Sequence, residues 1–376
     1  MVGKRSAPGD NSCKGSGVNR VLVAAILVIG DDTWEAGACN SLGGELIEGP
    51  ENCEGSPIVC LDVLGQTILQ RVIADLRHAG IGEITLVADD SLAGLVHTLP
   101  VRTLEISLVH RPTSAWLAVG RTLHEYARNG ISSVLLMRLG AYVEVEFSDL
   151  LDFHHARVET VTRAYDRHGR LDLWLINPQE CFEYQLPFDP WPAAEEEFPV
   201  DSYFVGGYVN RLRDGRDYRR LVVDALLSRC SIRPQGSEVK PGVWAGEGAK
   251  VHRGSRIVAP AFIGAKTRIE DGTLITRCSA IESGCRVDYG TVIEDSSLLP
   301  ETCVGADLDV CHSLVCRNHV LDLRRNVVVE VDDPSLIDSA QSHLWTDGNS
   351  VGFPLRGSLH HLRYRGQRAF ASPQSS

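Results

Sequence analysis

Residues 251–303 read VHRGSRIVAPAFIGAKTRIEDGTLITRCSAIESGCRVDYGTVIEDSSLLPETC, and every sixth residue is a branched aliphatic one. The series runs Val251, Ile257, Ile263, Ile269, Ile275, Ile281, Val287, Ile293, Leu299. Four residues after each stands a small one: Ser255, Ala261, Thr267, Thr273, Ser279, Cys285, Thr291, Ser297, Cys303. A six-residue period that holds this long implies a triangular coil. Each hexapeptide supplies one short strand and one corner, the branched side chain fills the interior, and the small one fits the tight turn. Stacked coils then bury a continuous core. Val304, Val310 and the apolar stretch 314–320 extend the pattern less regularly. The expectation is a left-handed parallel β-helix over residues 242–335.

Upstream the pattern changes to apolar runs alternating with amphipathic segments. Val21–Ile29 reads as a strand buried on both faces. In Gly65–Gly80, residues Ile68, Leu69, Val72, Ile73 and Leu76 share one helical face, with Gly80 closing the helix. Strands are expected at Glu83–Val87, Leu104–Val109, Ser133–Leu139 and Thr160–Tyr165. Helices are expected at Ser114–Asn129, from a Ser148 cap to His155, and at Asp217–Leu227. This alternation implies a mostly parallel sheet covered on both faces. The stretch 172–205, rich in Trp, Pro and Glu, resists assignment. The resulting division is a disordered arm over 1–18, an α/β domain over 19–233, a linker over 234–241, the β-helix over 242–335 and a tail over 336–376. The tail carries Arg356, Arg363, Arg365 and Arg368.

A chain of 376 residues holds two such domains. Its net charge of −12 argues against non-specific nucleic-acid binding, while small anionic ligands stay admissible at local positive sites. Eleven cysteines without a CxxC or Cys/His metal spacing suggest reduced thiols and a cytoplasmic setting. The run Val21–Ile29 is about half of a membrane span, so no membrane partner is expected. It lacks a cleavage pattern and ends at Asp31-Asp32, which favours a buried strand over a signal peptide.

Several blocks carry a resemblance. VLVAAILVIG occupies the place of a first strand. SPIVCLDVLGQTILQRVIADLRHAGIGEITLV is similar to a K-P-L-(apolar)-G-x-P segment with its helix and G-I-x-E-I. LLMRLGAYVEVEFSDLLDFHHA matches an L-N-G-D strand end, GGYVNRLRDGRDYRRLVVDALL a G-Y-W-x-D-I-G-T-P-E-D-Y block, and GVWAGEGAKV an entry into the coil. In this order they resemble the sugar-1-phosphate nucleotidyltransferases, or NDP-sugar pyrophosphorylases, that end in a β-helix. The resemblance implies an α/β fold with a Rossmann-like, mostly parallel sheet of the nucleotidyltransferase type. It also implies phosphoryl transfer from a nucleoside triphosphate to a sugar phosphate, with Mg²⁺ held by carboxylates.

The aligned positions lack that chemistry. Where the family has G-x-G-T-R-L, this chain reads Gly30-Asp31-Asp32-Thr33-Trp34; the signature lysine is Ser56; the two metal aspartates align with Gly140 and Arg211. The leading expectation is therefore a non-catalytic or regulatory relative without a firmly implied cofactor. A nucleotide or sugar-phosphate pocket would lie beside Gly30, Thr33, Arg138, Gly140 and Arg211. A protein partner or self-association would use the β-helix. Two alternatives remain. One is an active nucleotidyltransferase whose Mg²⁺ site is rebuilt from Asp31 and Asp32 or Glu144 and Glu146. The other is a hexapeptide-repeat acyltransferase using His252, His312 or His319 as base.

Overall fold

The structure is a computed structural model that describes residues 22–29, 57–89, 105–109, 112–157, 160–183 and 200–340. It is a mixed α/β fold with sheets rich in parallel pairs and few helices. The largest sheet of its first part has seven strands in the order 200–204, 161–166, 169–176, 133–138, 23–29, 83–89, 105–109. Val23–Ile29 runs parallel to both Glu83–Asp89 and Ser133–Arg138, which suits a strand whose residues from Ala24 to Ile29 are all buried. Strand Gly169–Ile176 breaks the parallel run. It hydrogen-bonds antiparallel to Ser133–Arg138 on one side and to Val161–Asp166 on the other. Its C-terminal half falls in the stretch whose composition hid it; Leu173, Trp174, Leu175 and Ile176 are all buried, so strict alternation is absent.

Helix Ile68–His78 starts where Thr67 and Gln70 close a capping box, three residues later than the pattern suggested. The delay reflects Leu64-Gly65, which form a turn at φ +54° and +89°. Helix Pro112–Arg128 covers the opposite face of the sheet through Trp116, Val119, Leu123 and Tyr126. Helix Phe147–His155 corrects the Ser148 expectation. Glu146 takes the N-cap position without a capping bond, and Ser148 Oγ donates to Glu146 Oε1 instead.

From Val243 onward, successive short strands fall in rotation onto three ladders. Partners stand eighteen residues apart and run parallel: Val243 with Ala261, Ile257 with Ile275, Ile263 with Ile281, Ile269 with Val287. Ile263, Ile269, Ile275, Ile281, Val287 and Ile293 fill one interior cluster. Val251 stands at the edge of its ladder and is 42% exposed. The small-residue positions do more than fit the corner. Thr267, Thr273, Ser279 and Thr291 are buried, and each donates its hydroxyl to a carbonyl of the next coil: Glu282, Asp288, Ile293 and Gly305.

The period then slips by one. Ile281 pairs with Leu298 rather than Leu299, and Val287 with Val304, so the spacing falls to seventeen. The missing residue is at one corner. The coil before the slip turns there through two left-handed residues, Arg277 and Cys278, whereas the next two use one each, Asp295 and His312. Leu298 therefore fills the interior, and Leu299 joins the core beneath the seven-stranded sheet. Ser296 takes the hydroxyl slot assigned to Ser297, donating to the Val310 carbonyl.

Residues 237–240 form a strand antiparallel to Val243–Ala245, and Ile337–Ser339 pairs antiparallel with Thr302–Val304. The ladders thus reach beyond residues 242–335 at both ends. The two parts share one core: Phe262, Ala280, Leu299 and Leu314 pack in the same cluster as Tyr218, Leu221, Leu69 and Leu135. Two buried ionisable side chains cross the same boundary. Glu282, fully buried, accepts the Leu64 N–H on Oε1 and the Gly65 N–H on Oε2, both at 2.8 Å. Arg219 donates to the carbonyls of Cys278 (2.9 Å), Arg277 (3.3 Å) and Asp295 (3.3 Å) and to the Asp295 carboxylate (3.0 Å).

Cys60, Cys230, Cys278, Cys285, Cys303 and Cys311 are free, while Cys316 is disulfide-bonded, which corrects the expectation of uniformly reduced thiols. Among the described residues no helix is long and apolar enough to cross a membrane.

Two outcomes follow. Leu298→Ala should cost about 2–5 kcal/mol in urea unfolding, the range for emptying a packed leucine site. Burial, followed by the charge of Asp62, pushes the Glu282 carboxyl up to about 8. The folded state then holds a proton that the unfolded chain releases near its ordinary value of 4.5. That stability is complete below the unfolded value and fades as pH rises through about 8. Unfolding of the wild type across pH 4–9 should show this decline, and Glu282→Gln should flatten it.

Candidate functional site at the strand ends

The expected crevice lies at the carboxyl ends of the parallel strands, where open α/β sheets place their ligands. Gly30 and Thr33 lie outside the described residues, as do Asp31, Asp32, Trp34 and Ser56. Arg138 ends strand Ser133–Arg138. The chain turns immediately, with Leu139 N–H donating to the Val28 carbonyl and Gly140 N–H to the Arg138 carbonyl. Arg211 follows strand Val209–Asn210, which pairs antiparallel with Tyr142–Val143. That pairing brings the Arg138–Gly140 and Gly206–Arg211 segments to one end of the sheet. Gly207 is required there: a Cβ would sit 2.2 Å from the Glu144 carbonyl oxygen.

Both arginines are already engaged with carboxylates of a single hairpin. Arg138 Nε donates to Asp172 Oδ2 at 2.8 Å, and a second guanidinium nitrogen contacts the same oxygen. Asp172 Oδ1 lies 3.6 Å from Arg163 Nη2, and the Arg163 guanidinium stands 5.0 Å above the Trp174 ring. Burial pushes Arg163 down from its ordinary value, and Asp172 opposes this. Arg211 Nη2 donates to Asp166 Oδ1 at 2.5 Å and to the Gly169 carbonyl at 3.2 Å. Burial raises the Asp166 carboxyl, but the Arg211 and His168 N–H bonds outweigh it and hold the group below the usual range. Arg211 therefore sits at the hairpin tip and Arg138 three residues along its strand, roughly 10 Å away at strand rise. Arg211 is paired with Asp166, and Arg138 shares Asp172 with Arg163.

Of the four carboxylates named for a rebuilt metal site, Asp31 and Asp32 lie outside the described residues, and Glu144 and Glu146 each accept hydrogen bonds. Glu144 Oε1 accepts the Ser231 N–H at 2.5 Å and the Tyr142 hydroxyl at 3.4 Å, and Glu146 Oε1 accepts from Ser148. Among the described residues no group of three or more His, Cys, Asp or Glu side chains converges as a metal site.

The histidines proposed as acyl-transfer bases differ from one another. His312 Nδ1 lies 2.6 Å from Asp295 Oδ2, and its Nε2 is in contact with an Arg324 nitrogen, so both ring nitrogens have partners. His252 Nδ1 lies 3.0 Å from Asp271 Oδ1 on an exposed corner. His319 lies in the hairpin Ser313–Cys316/His319–Asp322. His154 is buried against Thr162 Oγ1 at 2.8 Å; burial and then its neighbour His155 lower it to about 4, so it is a neutral packing residue at physiological pH.

Sequence reasoning missed Asp166 and Asp172. Both lie on the antiparallel hairpin, and only its second strand, once recognised, places Asp172 opposite Arg138. No protein-family model matches the chain, and no curated protein matches it.

Asp172→Ala should leave Arg138 and Arg163 without their shared carboxylate and lower stability by about 1–3 kcal/mol. Adding Arg138→Ala should recover part of that loss. Chemical denaturation of both single variants and the double variant gives the coupling.

Proposed function

We propose that this chain is a non-catalytic or regulatory relative of the sugar-1-phosphate nucleotidyltransferases, acting in sugar-nucleotide or polysaccharide metabolism. On this reading the seven-stranded sheet is the nucleotidyltransferase-type, Rossmann-like domain, and the three ladders form a left-handed parallel β-helix. The eighteen-residue pairing, with hydroxyl-bearing corners and a branched interior, supports the second assignment. The order of strands and the position of helix Gly215–Leu226 support the first.

The observation that carries the non-catalytic reading is the engagement of Arg138 by Asp172 and of Arg211 by Asp166. A triphosphate would need free cationic groups and a magnesium ion held by carboxylates. The described residues do not fit that ion. A glycine and an arginine occupy the two aligned metal positions, and the nearby carboxylates already serve Arg138, Arg163, Arg211 and Ser231. Any remaining function of the crevice is weak binding of a nucleotide or sugar phosphate. The β-helix then serves self-association or a protein partner. Six free thiols among the described residues support a cytoplasmic setting, and the Cys316 disulfide runs against it. The acyltransferase alternative loses His312, whose two ring nitrogens are both engaged.

Purified protein should release no pyrophosphate above background from nucleoside triphosphates and sugar 1-phosphates with Mg²⁺. Turnover of about 1 s⁻¹ with any pair would establish the active alternative.

A further inference from the structure

Where helix Gly215–Leu226 meets the shortened corner, the surface opens into a cleft of about 420 Å³. Arg216, Arg219 and Arg220 come from the helix and Arg229 from the turn after it; Asp295, His312 and Arg324 form the opposite wall. Five arginines thus face two aspartates, Asp224 and Asp295, in a protein whose net charge is −12.

We propose that this cleft binds a small ligand bearing a diphosphate group. The two carboxylates are saturated by their neighbours. Asp224 accepts the Tyr208 hydroxyl at 2.7 Å and Arg229 Nη1 at 3.2 Å, with Arg220 Nε 3.7 Å away. Asp295 meets Arg219 on one oxygen and His312 on the other. Arg216 and Arg324 have no carboxylate partner among the described residues. Arg216 Nε donates to the Leu323 carbonyl at 2.8 Å, and Arg324 contacts His312 Nε2. Both ring nitrogens of His312 are turned to neighbours, Nδ1 to Asp295 and Nε2 to Arg324. Five arginines against two aspartates leave the lining with an excess of three positive charges.

A terminal phosphate carries about 1.5 to 2 negative charges at neutral pH, and a second phosphate in the diphosphate adds about one more. That total balances the excess. The planar fork of arginine suits phosphate oxygens, and the volume falls in the range of small-molecule sites. A net positive lining also concentrates the positive potential. This site shares no residue with the strand-end crevice and does not depend on the proposed family.

Calorimetry of the full chain with inorganic pyrophosphate, inorganic phosphate and uridine diphosphate tests it. Pyrophosphate should bind one per chain and more tightly than phosphate. Equal affinity for uridine diphosphate identifies the diphosphate alone as the recognised unit, and tighter binding identifies a nucleotide source. Arg220→Ala and Arg229→Ala, whose side chains are more than half exposed, should each weaken binding about tenfold or more. Arg138→Ala should leave it unchanged. No pyrophosphate binding at millimolar concentration, or binding lost in Arg138→Ala but kept in both other variants, overturns the proposal.

Discussion

Two buried ionisable side chains hold the chain together as one body. Glu282, on the ladders, receives the backbone N–H groups of the Leu64-Gly65 turn; Arg219, on helix Gly215–Leu226, fills the carbonyl-lined corner of the ladders. Each would be costly to bury without these partners, because a desolvated ionisable group needs hydrogen bonds to replace water. Apolar packing surrounds both, with Phe262, Ala280 and Leu299 entering the same core as Tyr218 and Leu221. The joint is therefore specified by direction as well as by area, and Leu64-Gly65 must keep its left-handed turn to present two adjacent N–H groups.

The arginine-lined cleft is a consequence of this joint. The corner that lost a residue, with Asp295 and His312 in the left-handed conformation, is where Arg219 docks. Helix Gly215–Leu226 supplies one wall while its buried face packs through Tyr218, Leu221, Val222 and Ala225. The cleft thus exists only when sheet domain and ladders keep their relative placement, and a ligand there would bridge them.

Much of the architecture was legible because its periods are strong. The six-residue recurrence predicted ladder partners eighteen residues apart, and strands 23–29, 83–89, 105–109 and 133–138 fell within a residue or two of their apolar runs. The slip after Ile293 was not legible, for a specific reason. Leu298-Leu299, Ser296-Ser297 and Thr302-Cys303 are pairs of like residues, so the sequence satisfies either register. Hydrogen bonding and packing choose between them: Leu298 enters the ladder interior and Ser296 reaches the next coil. Strand Gly169–Ile176 was hidden because its buried half lacks alternation. With it went Asp172, and so the engagement of Arg138. The cleft was hidden too, since its arginines come from a helix and a turn more than eighty residues from His312 and Arg324.

The joint can be tested by following urea unfolding through hydrogen exchange at two places, strand Ser133–Arg138 in the sheet and residues 280–299 in the ladders. The account predicts a single midpoint shared by both, because neither part can separate without exposing Glu282, Arg219 and their common core. Two well-separated midpoints, with the ladders intact after the sheet has opened, would contradict it.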